Sequence, residues 1–162
     1  MASKISYAFG AFMLLCGSTV NADTPMTDAQ RGKYLLQVGG CNDCHTMGYA
    51  QNNGRLPEEQ WLTGSNVGFM GPWGTTYPGN LRKRAAQLSA KQWQELMRSP
   101  MRPPMPTPSL AAMSDADIQS IYHYLRTLGD AGDAAPAALP PGVTPNTAYF
   151  DFVPKSAEAT KS

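Results

Sequence analysis

Five consecutive residues, Cys41-Asn42-Asp43-Cys44-His45, constrain this chain more than any other feature. Two cysteines separated by two residues and followed at once by histidine form the pattern of covalent c-type haem attachment. Each thiol adds across one vinyl group of the macrocycle and becomes a thioether, and the short spacing suits vinyls on neighbouring pyrroles. His45 then lies where a ring nitrogen reaches the iron as proximal ligand. Two other chemistries use such cysteines. A redox dithiol has no use for the adjacent histidine. A structural zinc site needs four protein ligands, and the chain is poorly supplied with Cys and His for one.

The first residues read as an export signal. Lys4 gives a positive start, and Tyr7 to Val20 is mostly apolar but too short for a convincing membrane span. Val20-Asn21-Ala22 puts small residues where a signal peptidase reads, so residues 1–22 are expected to be cleaved. An uncleaved anchor is the alternative, and bulky Leu15 disfavours lipid modification at Cys16. Cleavage removes Cys16 and leaves Cys41 and Cys44, with no cysteine for a disulfide elsewhere. Export and haem attachment support each other, because c-type haem is attached outside the cytoplasmic membrane. The expected location is the periplasm.

The chain carries 13 Lys+Arg against 12 Asp+Glu, and losing Lys4 balances the two. A neutral protein argues against nucleic acid and against strong binding to anionic membranes. A mean hydropathy of −0.34 fits a chain with no stable membrane insertion once the signal is gone.

Three helices are expected. Thr27 caps the first, with Asp28 in its opening turn to suit the dipole. It runs to about Val38, and Gly39-Gly40 ends it just before the haem cysteines. Gly32, inside it, marks either a close helix crossing or a tolerated glycine. Ser89 caps the second helix, Ala90 to about Arg98, with Trp93, Leu96 and Met97 on one face. Ser114, with Asp117 three residues on, begins the third, Asp115 to about Leu128, which Gly129 ends. Between the first two helices, Thr46 to about Asn80 reads as loop. Trp61, Phe69, Trp73 and Tyr77 are available there for an apolar wall around a flat cofactor, or for ordinary core packing. The run Arg102-Pro103-Pro104-Met105-Pro106-Thr107-Pro108 is expected to be stiff and extended, because proline at this density opposes helix. Residues 130–162, rich in Ala, Pro and small polar residues, cannot bury enough to fold alone. They read as an extended tail after a domain spanning 23–129, pinned in part through Tyr149, Phe150 and Phe152. Arg82-Lys83-Arg84 is the one dense basic run, a docking patch or a partner for a haem propionate, with a solvated face slightly preferred. His123, on the last helix, reads as an exposed or partly exposed histidine, with a distal ligand as the less favoured alternative.

This arrangement resembles class I cytochromes c: three helices, haem attached after the first, and a methionine loop before the last. Gly32 and Ile121-Tyr122-His123-Tyr124-Leu125 resemble that family's paired terminal helices. There the helices cross at the glycine against an aromatic, the position of Tyr124, and the positions of Ile121 and Leu125 touch haem. Gly71-Pro72-Trp73-Gly74-Thr75-Thr76-Tyr77-Pro78-Gly79-Asn80-Leu81 resembles a stretch in the cytochrome subunits of periplasmic alcohol and gluconate dehydrogenases. So does Pro104-Met105-Pro106 followed by Met113-Ser114-Asp115-Ala116-Asp117. In those subunits the methionine between prolines is the distal iron ligand. The subunits usually carry several haem units, whereas this chain has one attachment motif.

The resemblance implies an all-α class I cytochrome c fold with three main helices around one covalently bound haem c. Cys41 and Cys44 would be its thioether anchors, His45 the proximal ligand and Met105 the distal one. From the residues alone Met101, in the same loop, competes with Met105, and Met70 stays open; the family spacing selects Met105. The implied role is a single-electron carrier, not an enzyme. It would exchange electrons with redox partner proteins, a dehydrogenase or a terminal oxidase. Two rivals stand beside it. A thiol–disulfide oxidoreductase would place the cysteines in a βαβ context, which the sequence lacks. A haem sensor or peroxidase would shed its distal ligand, and no His or Arg pattern for peroxide chemistry is evident.

Overall fold

The computed structural model describes residues 25–155. The expected signal segment 1–22, with Cys16, lies outside the described residues, as do residues 156–162 of the tail.

The three expected helices form with the expected limits: α1 (Asp28–Val38), α4 (Ala90–Arg98) and α6 (Asp115–Leu128). Their starts are fixed by side chains that satisfy the free amides of a first turn. Thr27 and Gln30 form a reciprocal capping box, and so do Ser89 and Gln92. Ser114 accepts from the Asp117 amide. The Asp117 carboxylate reaches across to Arg31 at 2.5 Å, tying α6 to α1.

α1 lies along α6, the most extensive contact between elements. The crossing point is Gly32, where a Cβ would stand 2.0 Å from the Ser120 carbonyl oxygen and 2.9 Å from Tyr124 Cβ. Only a residue without a side chain allows that approach, so Gly32 marks a crossing. Leu36, Leu62, Trp93, Ile118, Tyr124 and Leu125 form the centre of the core. Burying a side chain of this size stabilises the fold by roughly 1.5–3 kcal/mol.

Three further helices depart from expectation. α2 (Cys41–His45) is the attachment motif itself, wound into one turn. α3 (Leu81–Gln87) contains the basic run and buries Arg82 and Ala85. α5 (Thr107–Ala112) begins inside the proline-rich stretch that was expected to stay extended. Pro106 and Pro108 fall at the N-cap and in the first turn, where a missing amide costs nothing.

The stretch 46–80 is not loop throughout, and the fold is not purely helical. The stretch contains two short 3₁₀ turns and a hairpin, β1 (Gly68–Gly71) and β2 (Gly74–Thr76). β3 (Tyr149–Asp151), from the tail, adds in parallel to β1, with Phe150 opposite Phe69, and gives the order β2-β1-β3. Phe150 stacks on Phe69 at 5.5 Å, and Phe152 packs against Phe69 and Trp73. No helix of the described residues is long and apolar enough to cross a membrane.

Candidate haem site

α2 is stapled in place by its neighbours. The Thr46 hydroxyl donates to Asn42 Oδ1 at 2.7 Å and accepts the Leu62 amide at 2.8 Å. The Gly64 amide donates to the His45 carbonyl at 2.8 Å. These bonds fix the motif against the loop that follows it, with His45 9 % exposed.

His45 Nδ1 lies 2.7 Å from the carbonyl oxygen of Gly79. A carbonyl only accepts, so Nδ1 carries the proton and Nε2 keeps its lone pair. Burial pushes the imidazole pKa down, and the Gly79 carbonyl opposes this only in part. The ring is therefore neutral at neutral pH, as a metal-binding imidazole must be. An orienting hydrogen bond on the opposite nitrogen is the usual support for such a ligand.

Cys44 and His45 face a mostly apolar cavity of about 530 Å³, within the range of roughly 300–1,000 Å³ for cofactor sites. β2 and the loop after it supply Thr76, Tyr77 and Pro78, and α4 supplies Leu96 and Met97. Both Met101 and Met105 lie in the wall, on the proline-rich loop, so the structure brings both contenders to one site. Met70 sits on β1 outside the wall, and Met47 lies 46 % exposed beside a smaller depression. Lys83, Arg84 and Arg102 put three cations in the wall, and Ala134, Ala135, Pro136 and Ala138 of the tail close one side.

Several sequence expectations resolve differently. Phe69 and Tyr77 line the cavity. Trp61 is core, edge-on to Tyr49 with its indole N–H on the Leu56 carbonyl, and Trp73 packs on Phe152. Ile121 and Leu125 belong to the core and not to the cavity wall. Cys41, the first residue of α2, packs against the core and is also outside the wall. The slightly preferred solvated reading of the basic run fails at Arg82. Arg82 is 6 % exposed, and its guanidinium donates to the carbonyls of Glu59, Leu128 and Gly129. It meets the negative end of α6, which favours a cation. His123 is exposed, its Nδ1 3.3 Å from Asp28.

The cavity's donors fit a haem: the Cys44 sulfur, one oriented ring nitrogen, thioether sulfurs, an apolar lining and cations for two carboxylates, with Cys41 on the same helical turn but outside the wall. The thiols shift away from what a reactive dithiol uses. Burial pushes the Cys41 thiol up to about 11 and also raises the Cys44 thiol, with Asp43 adding to the rise. Nucleophilic cysteines need the opposite shift.

A family model described as cytochrome c matches residues 29–129, from the start of α1 to the glycine that ends α6. The chain belongs to the cytochrome c family, whose members carry covalently bound haem c and transfer electrons. It is 27 % identical over 135 residues to the cytochrome c subunit of alcohol dehydrogenase (quinone) from Gluconacetobacter polyoxogenes. The same identity over the same length holds for the subunit from Komagataeibacter europaeus. Each match covers 75 % of this chain and 26 % of the relative, so the chain spans about a quarter of their length. No solved structure matches it.

Proposed function

We propose that this protein is a periplasmic monohaem c-type cytochrome that takes one electron from a redox partner and passes it to another. In this reading residues 1–22 direct export and are removed, residues 23–129 form the haem domain, and residues 130–162 form an extended tail. Cys41 and Cys44 hold the haem through thioethers, His45 is its proximal iron ligand and Met105 its distal one. Lys83, Arg84 and Arg102 would be the cations available to its propionates. The haem supplies a one-electron couple, which His/Met ligation sets high relative to other axial pairs. The chain's own residues orient the imidazole, line the cavity with apolar groups and would offer the iron a ring nitrogen and a thioether sulfur. With both ligands bound the iron would have no position free for substrate, which supports a carrier over an enzyme.

The observation that carries this reading is the His45–Gly79 hydrogen bond at the edge of a cavity that also holds Cys44 and Met105. The family match supports a covalently bound haem, and the single attachment motif supports one of them. The names of the relatives support a dehydrogenase as electron donor, with a terminal oxidase as one choice of acceptor. The balanced charge fits a soluble carrier with no nucleic-acid partner.

The distal assignment is tested by two variants. Met105→Ala is expected to abolish the weak far-red sulfur-to-iron band, lower the potential and admit carbon monoxide to the reduced iron. Met101→Ala should do none of these. Exchanged behaviour would move the ligand to Met101, and an unchanged spectrum in both would place it outside this loop.

A further inference from the structure

The tail does more than cover the cavity. Residues 130–139 run as a strap from the end of α6, past α3, to β2. Lys83 Nζ lies 3.4 Å from an Asp130 carboxylate oxygen. At the far end Leu139 exchanges both backbone hydrogen bonds with Thr75, at 2.9 and 3.0 Å. In between, the strap is held by Asn80. Its Nδ2 donates to the carbonyls of Ala131 at 2.7 Å and Asp133 at 3.1 Å, while its Oδ1 accepts the Lys83 amide at 2.9 Å and caps α3. Asn80 is 6 % exposed, and all three of these bonds are directional.

Asn80 is bonded through its own peptide nitrogen to Gly79, whose carbonyl oxygen receives the His45 ring proton. Gly79 has open space at its Cα face, where a Cβ would meet no atom within 4 Å, while Gly64 backs its carbonyl carbon, a Cβ on Gly64 standing 3.2 Å from it. Glycine has a soft backbone, so the direction of its carbonyl is set by its neighbours. On one side the Pro78 carbonyl accepts the Ser65 amide at 3.1 Å. On the other stands Asn80, locked between the strap and α3.

We propose that Asn80 is a positioning residue that couples the strap to the iron's proximal ligand, the strap carbonyls holding Asn80 and Asn80 holding the Gly79 carbonyl against His45. The inference rests on the assignment of His45 as proximal ligand. A strong hydrogen bond from Nδ1–H makes the imidazole a more basic donor. That stabilises the oxidised iron more than the reduced one and holds the potential down. Loosening the strap weakens the bond, so the potential rises. A partner that displaced residues 130–139 would shift the potential without touching an iron ligand.

Two variants approach the coupling from opposite ends, each in the full-length holoprotein. Asn80→Ser keeps a hydroxyl to cap α3 but loses both donors to the strap. Gly132→Val leaves Asn80 and the cap intact. A β-branched side chain at a φ of +72° strains the strap backbone, and its Cβ would also press on Thr63 Cβ at 3.3 Å. The readouts are the midpoint potential and the hydrogen-exchange rate of the His45 ring N–H, followed by NMR. Both variants are expected to raise the potential, by about 59 mV for each tenfold loss of preference for oxidised iron. Both should also speed ring-proton exchange at least tenfold. Unchanged potential and exchange in both would overturn the proposal. A shift in only one also would, because the effect would then run through the α3 cap alone or bypass Asn80. The wild-type protein tests the assignment beneath it. If the oxidised form, shown to hold haem by its pyridine haemochrome, lacks a paramagnetically shifted His45 ring proton, His45 is not the ligand and the proposal falls with it.

Discussion

At the scale of single residues, two positions carry constraints that differ in kind. Gly32 is fixed by space. A methyl group there must displace the Ser120 backbone 2.0 Å away, and overpacking of this sort costs about 1–3 kcal/mol. Gly32→Ala is therefore expected to lower the denaturant midpoint while the unfolding slope stays the same; an unchanged midpoint would mean that α1 and α6 slide apart freely. Arg82 is fixed by charge and shape. Its planar fork serves three carbonyls from two segments, and a lysine has no matching geometry. Hydrogen bonds from a charged group contribute about 1.5–3 kcal/mol, so Arg82→Lys should destabilise clearly, and equal thermal midpoints would show that the three bonds are dispensable. Gly32 was legible as one of two readings, since an interior glycine is a local oddity. The buried state of Arg82 was not, because its partners are backbone oxygens that leave no mark in the sequence. The same holds for the Gly79 carbonyl: sequence reasoning asks for an acceptor behind His45 but has no means of naming it.

At the scale of elements, helices announced by caps were legible and elements built on short-range geometry were not. Thr27, Ser89 and Ser114 each fixed a start, and Gly39 and Gly129 ended the first and third. α3 was hidden because its seven residues read as a charge run, although Asn80 ahead of Leu81 was a cap signal in plain view. The hairpin was hidden because strands of four and three residues are too short to show alternation. The acid side of the stability profile tests how these elements are joined. Glu58, in a 3₁₀ turn, accepts from Lys33 of α1 at 2.5 Å and from the Tyr124 hydroxyl of α6 at 2.7 Å. The Lys33 bond, then the Tyr124 bond, hold its carboxyl below the ordinary value of 4.5. A depressed carboxylate stabilises the fold above its unfolded pKa, and that contribution is lost as pH falls through the folded value. Removing it with Glu58→Gln should destabilise the protein at pH 7 and flatten the loss of stability below about pH 4.5. Parallel acid profiles for the two proteins would show that the link contributes nothing.

At the scale of the whole molecule, the fold is a pair of crossed helices with a cofactor-sized cavity beside them. Loops, a hairpin and a returning tail build most of its wall. The attachment motif was legible because its chemistry is local. The wall was legible only in part, because which aromatic faces a cavity depends on contacts far apart in sequence. Phe69 and Tyr77 reached it, Trp61 and Trp73 did not, and the tail's alanines gave no hint that they would. The central claim is one haem c bound covalently through Cys41 and Cys44. It is tested most directly by the intact mass of the denatured protein, purified after expression in a host that matures c-type cytochromes. The account predicts a chain beginning at Asp23 and heavier by one haem, with no free thiol. A chain at its bare polypeptide mass, or two hydrogens lighter from a Cys41–Cys44 disulfide, would contradict it.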